Sequence, residues 1–115
     1  MSIIKFTVAE FTADPGSATP VSAPIGTPIS NVRVRSVLAQ DGKTKTGLWE
    51  CTPGRWRRQV TQAEFCHFLE GDCTFTPDEG EPVEIRAGDV LFFPANTKGA
   101  WEIRSQARKI YVVFE

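Results

Sequence analysis

GLWECTPGRWRRQVTQAEFCHFLEGDCTFTPDEGEPVEIRAGDVLFFPANTKGAWEIRSQARKIYVVF, residues 47 to 114, is the stretch that decides the fold class. Apolar and polar residues alternate in short runs, and Gly or Pro punctuates the runs. That is the period of half-buried strands joined by turns. Strands are predicted at 56–60, 64–69, 72–76, 83–85, 90–93, 100–104 and 109–114. Glu70-Gly71 reads as a tight turn that pairs Phe68 with Cys73 and Cys66 with Phe75. Pro53-Gly54 is a second turn and PDEGEP, 77–82, a loop. Working outward, VRVRSVL and TKTGLWEC flank Asp41-Gly42, a hairpin signal. No run of ten or more residues has a helical period. Many short strands with close turns predict an all-β sandwich or barrel, and a double-sheet jelly roll also hides most sheet edges.

Residues 1–30 differ in composition. Pro15, Pro20, Pro24 and Pro28 forbid a long helix there. The segment is expected to be an arm lying across the domain, with one short strand at 3–8, and residues 31–115 form the domain. The chain of 115 residues is enough for one core. Thirteen basic and 14 acidic residues leave a formal charge of -1, which offers no electrostatic case for nucleic acid or an anionic membrane. No apolar run approaches the ~20 residues that span a bilayer. MSIIKFTVAEF lacks the basic start and long apolar centre of a signal peptide, so a cytoplasmic location is expected. Three cysteines, Cys51, Cys66 and Cys73, without metal-finger spacing, read as small buried hydrophobes of a reducing compartment. A shared face for Cys66 and Cys73 is the alternative that a hairpin at Glu70-Gly71 allows.

The long stretch resembles the cupin family. Glu64 and Gly71 keep the E-(x)6-G spacing of the first cupin motif, and Gly88 and Pro94 the G-(x)5-P spacing of the second. The resemblance implies a β-barrel jelly roll. It also implies where metal ligands belong, and they are missing. The first motif's two histidines fall on Arg58 and Val60, or on Arg57 and Gln59, and the second motif's histidine on Gly99. His67 is the single histidine, so one protomer cannot supply a two-histidine, one-carboxylate triad. No metal and no other cofactor is expected.

Glu64 is the foremost candidate. In the cupin frame it faces the barrel, and by alternation Cys66 and Phe68 share its direction while His67 points out. His67 therefore reads as a packing or interface residue. A carboxylate in an apolar barrel needs a cationic partner, and Arg57, Arg58 and Lys98 are the candidates. Glu64 is either an ordering ion pair or a general base or ligand acceptor, and one residue can do both. Arg55 and Arg57 share one face and Trp56 and Arg58 the other, so one of Arg57 and Arg58 points in and can anchor a carboxylate. Trp101 shares the inward direction of Gly99, which is expected to leave space beside it. The expected ligand pocket is Trp49, Arg57, Arg58, Glu64, Cys66, Trp101 and Tyr111, although Trp49 and Trp101 also suit an ordinary core.

The elements GLWECTPGRW, EFCHFLEG, AGDVLFFP, GAWEI and ARKIYVV look like a narrower group, small single-domain cupins related to the cupin domain of (S)-ureidoglycine aminohydrolase. That enzyme has two cupin domains and a manganese ion, and its activity is not carried over to a chain without the histidines. The expected function is binding of a small polar or anionic metabolite in the barrel without the usual metal. The alternatives are a metal-independent isomerase or lyase, or a ureide-metabolism enzyme, using Glu64 with Tyr111 or Lys109, and an inert barrel acting as a structural module. A homodimer through the face of Phe65 and His67 is expected.

Overall fold

A computed structural model describes residues 3–114. In chain order the elements are α1 (Val8–Ala13), β1 (Thr19–Pro20), β2 (Asn31–Leu38), β3 (Lys45–Cys51), β4 (Gly54–Arg58), β5 (Glu64–Pro77), β6 (Val83–Arg86), β7 (Val90–Phe93) and β8 (Gly99–Val113).

Two strands organise the rest. β5 and β8 run antiparallel along nearly their whole lengths, from Glu64 opposite Val113 to Pro77 opposite Gly99. Each passes from one sheet of a jelly roll into the other. On one side the order is β1-β2-β3-β8-β5-β7, built on residues 107–113 of β8 and 64–68 of β5. On the other it is β4-β8-β5-β6, built on residues 99–103 and 72–77. The passage is marked by register shifts between Phe68 and Cys73. Gly71 lies there with φ of 135°, and a Cβ would stand 3.1 Å from the Cα of Ala107. A bulge with a glycine bends a strand without ending it.

This corrects the expected hairpin at Glu70-Gly71. The strands predicted at 64–69 and 72–76 are one strand, as are those at 100–104 and 109–114. Phe68 lies opposite Lys109 and Cys73 opposite Ile103, so Cys66 and Cys73 are not brought together by a turn. Asp41-Gly42 does turn β2 into β3. Gly42 has φ of 74°, and the Asp41 carboxylate accepts from the amides of Lys43 and Thr44 and from the Thr44 hydroxyl. These bonds lower the Asp41 pKa to about 2.

The strand expected at 3–8 is absent, and a six-residue helix follows instead. Thr7 caps it, its Oγ1 accepting from the Glu10 amide at 3.1 Å. Pro15 prevents its extension. Phe11 is buried against the outer side of β3, with the Arg35 guanidinium 5.8 Å from its ring centre. Beyond the helix, β1 pairs with β2 and Pro24 bridges to Trp56, so residues 19–25 touch both sheets.

The interior follows the alternation. Cys66 and Phe68, Cys73 and Phe75, Trp101 and Ile103, and Ala107 and Tyr111 all point in and are buried, with Cys51, Ile85 and Phe93. Phe65 and His67 point out. No described helix is long and apolar enough to cross a membrane.

Candidate functional site

The inner faces of β4, β5 and β8 deliver three charges to one place. Glu64 starts β5, Arg58 ends β4 and Lys109 lies four residues along β8 from Val113, the residue opposite Glu64. Four residues of strand are about 13 Å, so only long side chains reaching toward each other close the gap. The Lys109 ammonium meets Glu64 Oε2 at 2.6 Å, and Arg58 Nη2 meets Oε1 at 3.2 Å. The side chains are 5% (Lys109), 4% (Glu64) and 2% (Arg58) exposed. Arg58 Nη1 also donates to the carbonyls of Val60 (2.9 Å) and Thr97 (3.0 Å), which fixes its fork.

Aromatic faces surround the cations. The Arg58 guanidinium lies 4.5 Å from the Phe93 ring centre. The ammonium lies 4.5 Å from Trp49, 5.4 Å from Trp101, 5.7 Å from Phe68 and 5.8 Å from Phe93. Such contacts are worth up to about 2 kcal/mol each when desolvated, which offsets part of the cost of burying charge. Two cations share one carboxylate, so this buried cluster carries one surplus positive charge.

A cavity of about 180 Å³ opens on the cluster, lined by Val34, Trp49, Val60, Glu64, Lys109, Tyr111 and Val113. Val60 also lines a second, larger cavity of about 340 Å³ with Arg57, Arg58, Gln59 and Lys98. Burial holds the Tyr111 phenol above its usual pKa, a neighbouring Ser36 hydroxyl opposing the shift.

The expected pocket residues therefore separate. Trp49, Glu64 and Tyr111 share the smaller cavity; Arg57 and Arg58 line the larger one. Of the two arginines, Arg58 is the inward one. Arg57 makes a paired bond to Asp78 at 2.8 Å on each nitrogen. Cys66 and Trp101 line neither of these cavities. Cys66 is a buried thiol that desolvation pushes up to about 11, and Cys51 and Cys73 behave alike. Trp101 is walled by Phe75 at 5.0 Å, Phe93 at 5.9 Å, Trp49 at 6.0 Å and Trp56 at 6.3 Å. Gly99 leaves no space beside it: a Cβ there would meet the Phe75 ring at 2.6 Å. Lys98 is exposed, and the second partner of Glu64 is Lys109 instead. The alternation A-R-K-I-Y, which sets Lys109 and Tyr111 on one inward face, was the signal for it.

The residues present do not suit a cupin metal. Both Glu64 oxygens are engaged by cations, and His67 is on the opposite face of β5. Among the described residues no three His, Cys, Asp or Glu side chains converge to hold an ion.

The profile of the EutQ-like cupin domain matches residues 38–111, nearly two-thirds of the chain. The protein belongs to the EutQ-like cupin domain family. This EutQ-like cupin superposes on the EutQ protein of Clostridium difficile with a TM-score of 0.64 at 20% identity, covering 74% of this chain and 63% of that one. It superposes on a DUF861-family protein of unknown function from Pseudomonas syringae with a TM-score of 0.72 at 22% identity, covering 87% and 43%. A Rhizobium leguminosarum protein of unknown function matches nearly end to end, with 99% and 98% covered, a TM-score of 0.68 and 19% identity. These likenesses are of fold. The chain spans under two-thirds of the Clostridium protein and under half of the Pseudomonas one. No curated protein matches the sequence.

Proposed function

We propose that this EutQ-like cupin binds a small anionic metabolite, a short monocarboxylate, in the Lys109 cavity without a transition metal. One observation carries this reading: Glu64 is shared by two buried cations, so the cluster keeps an uncompensated positive charge beside an opening. An ammonium has three donors, and Glu64 takes one of them. A ligand carboxylate would neutralise the surplus charge, and its tail would meet Val34, Val60 and Val113. About 180 Å³ is below the ~300–1,000 Å³ usual for drug-sized ligands, which favours a few heavy atoms. The ureide hydrolysis suggested by the narrower resemblance forms no part of this reading, because the donor set for manganese is missing.

The test is a tryptophan-fluorescence titration with acetate, propionate and butyrate, Trp49 being the reporter on the cavity wall. Saturation by a carboxylate but not by its amide, weakened about tenfold or more (1.4 kcal/mol) by Lys109→Met, is expected. Binding indifferent to Lys109→Met would move the ligand out of the barrel. No binding at all would favour the inert barrel, which the close packing around Trp101 also suits. We infer further that a second copy covers the outer face of β5 and β7, where Phe65, Val90 and Phe92 are 45–59% exposed around His67. A Phe92→Glu variant that leaves the solution mass unchanged would oppose this.

A further inference from the structure

We propose that Lys109 is a nucleophile that captures small aldehydes or ketones as a Schiff base. The proposal rests on the reading that the Lys109 cavity takes a small ligand, and it names a substrate class and a covalent step.

Three features of the site combine. Lys109 is buried, yet it borders a cavity whose other walls are mainly valine and tryptophan. Lysines act as nucleophiles when desolvated in an apolar pocket, and the Lys109 nitrogen sits among the rings of Trp49, Trp101, Phe68 and Phe93 beside that cavity. Glu64 Oε2, at 2.6 Å from the nitrogen, is within proton-transfer reach. Arg58 stays paired to Oε1, the other carboxylate oxygen, so Oε2 is the atom that faces Lys109 for the transfer, and the net charge of the cluster is the same before and after the proton moves.

The step balances. Glu64 takes a proton from the Lys109 ammonium, and the freed lone pair forms the N–C bond as the carbonyl π pair moves to oxygen. Glu64 returns that proton to oxygen and relays a second, and the oxygen leaves as water. The carbonyl and the ammonium have become an iminium and water, with no oxidant, no reductant and no change of charge. The four aromatic faces that hold the ammonium hold the iminium equally well, because the charge stays on the same nitrogen. The valine and tryptophan walls limit the carbonyl compound to a short apolar tail.

The experiment is reductive trapping on the full chain. Propanal and sodium cyanoborohydride are added at neutral pH, and peptide mapping by mass spectrometry follows the propyl group on each lysine. Lys5, Lys43, Lys45 and Lys98 are exposed and serve as internal controls. The expected result is that Lys109, the most buried of the set, is labelled first. Glu64→Gln should slow its labelling about a hundredfold, the scale of a lost general base. Should that variant unfold, Val60→Trp, which fills the cavity from its exposed side, should protect Lys109 and leave the control lysines unchanged. Labelling confined to the four exposed lysines, labelling of Lys109 only in denaturant, or labelling indifferent to Val60→Trp would each overturn the proposal. Propionate titration on the same sample keeps the two readings apart. Saturable propionate binding with Lys109 unlabelled sinks the Schiff base and spares the anion site.

Discussion

Two sets of charges in this domain use the same residue types to opposite ends. One is the buried Arg58–Glu64–Lys109 cluster. The other is a ladder on the outer side of β5, β6 and β8, where Arg104 binds Asp72 at 2.8 Å and Glu84 at 2.9 Å, and Arg86 binds Asp72 at 2.9 Å. The ladder is better populated and its geometry is as good. Its side chains are 34–59% exposed, however, so water competes for every partner. The inner cluster has no such competitor. Losing one partner there strands charge in a low dielectric, whereas losing one in the ladder returns the others to solvent. Number of ion pairs is thus a poor guide to what holds this fold; burial decides.

The sharpest way to break that contrast is Glu64→Ala. It leaves two buried cations facing each other, and a loss of roughly 3–5 kcal/mol in urea unfolding is expected. A loss below about 1 kcal/mol, the exposed-pair scale, would mean the site hydrates freely. Lys109→Met should cost less than Glu64→Ala, because the Arg58–Glu64 pair it leaves is balanced. The reverse order would refute the surplus-charge account. Replacing the trio together by Met, Leu and Met should lie between neutral and about 1–4 kcal/mol stabilising, since matched apolar groups avoid desolvation altogether. That outcome would separate a cluster kept for binding from one kept for stability. Asp72→Asn should move the melting midpoint far less than any of these, and molar salt should remove what difference there is.

Acid sharpens the comparison last. Hydrogen bonds from Arg104 hold Asp72 below its ordinary value, those from Arg57 do so for Asp78, and those from Thr74 lead for Glu84. Asp41 is lowered to about 2. A depressed folded-state value means the contribution is complete above the unfolded carboxylate range, near pH 4, and is lost as pH falls through the folded values. Stability should therefore be flat from neutrality to about pH 5 and decline toward pH 2. Stability that stays flat down to pH 2 would show that these surface bonds do not form in solution.

How much of this was legible beforehand can be followed residue by residue. The sequence by itself determined the all-β class, the Asp41-Gly42 hairpin, the inward set Glu64, Cys66 and Phe68, and the outward His67. These depend on local chemistry: a period of two, a residue tolerating positive φ, and side chains that alternate across a strand. The family signature rested on residues close in the chain as well. Tertiary structure alone decided that Glu70-Gly71 bends β5 rather than reversing it, because a turn and a bulge ask for the same residues and only the partner strand chooses between them. It decided that Arg58 rather than Arg57 enters the barrel, Asp78 holding Arg57 at the surface. It closed the space beside Gly99 with Phe75, 24 residues away in the chain. And it brought Lys109 to Glu64 across 45 residues, since a buried charge takes whichever partner the folded barrel sets within reach.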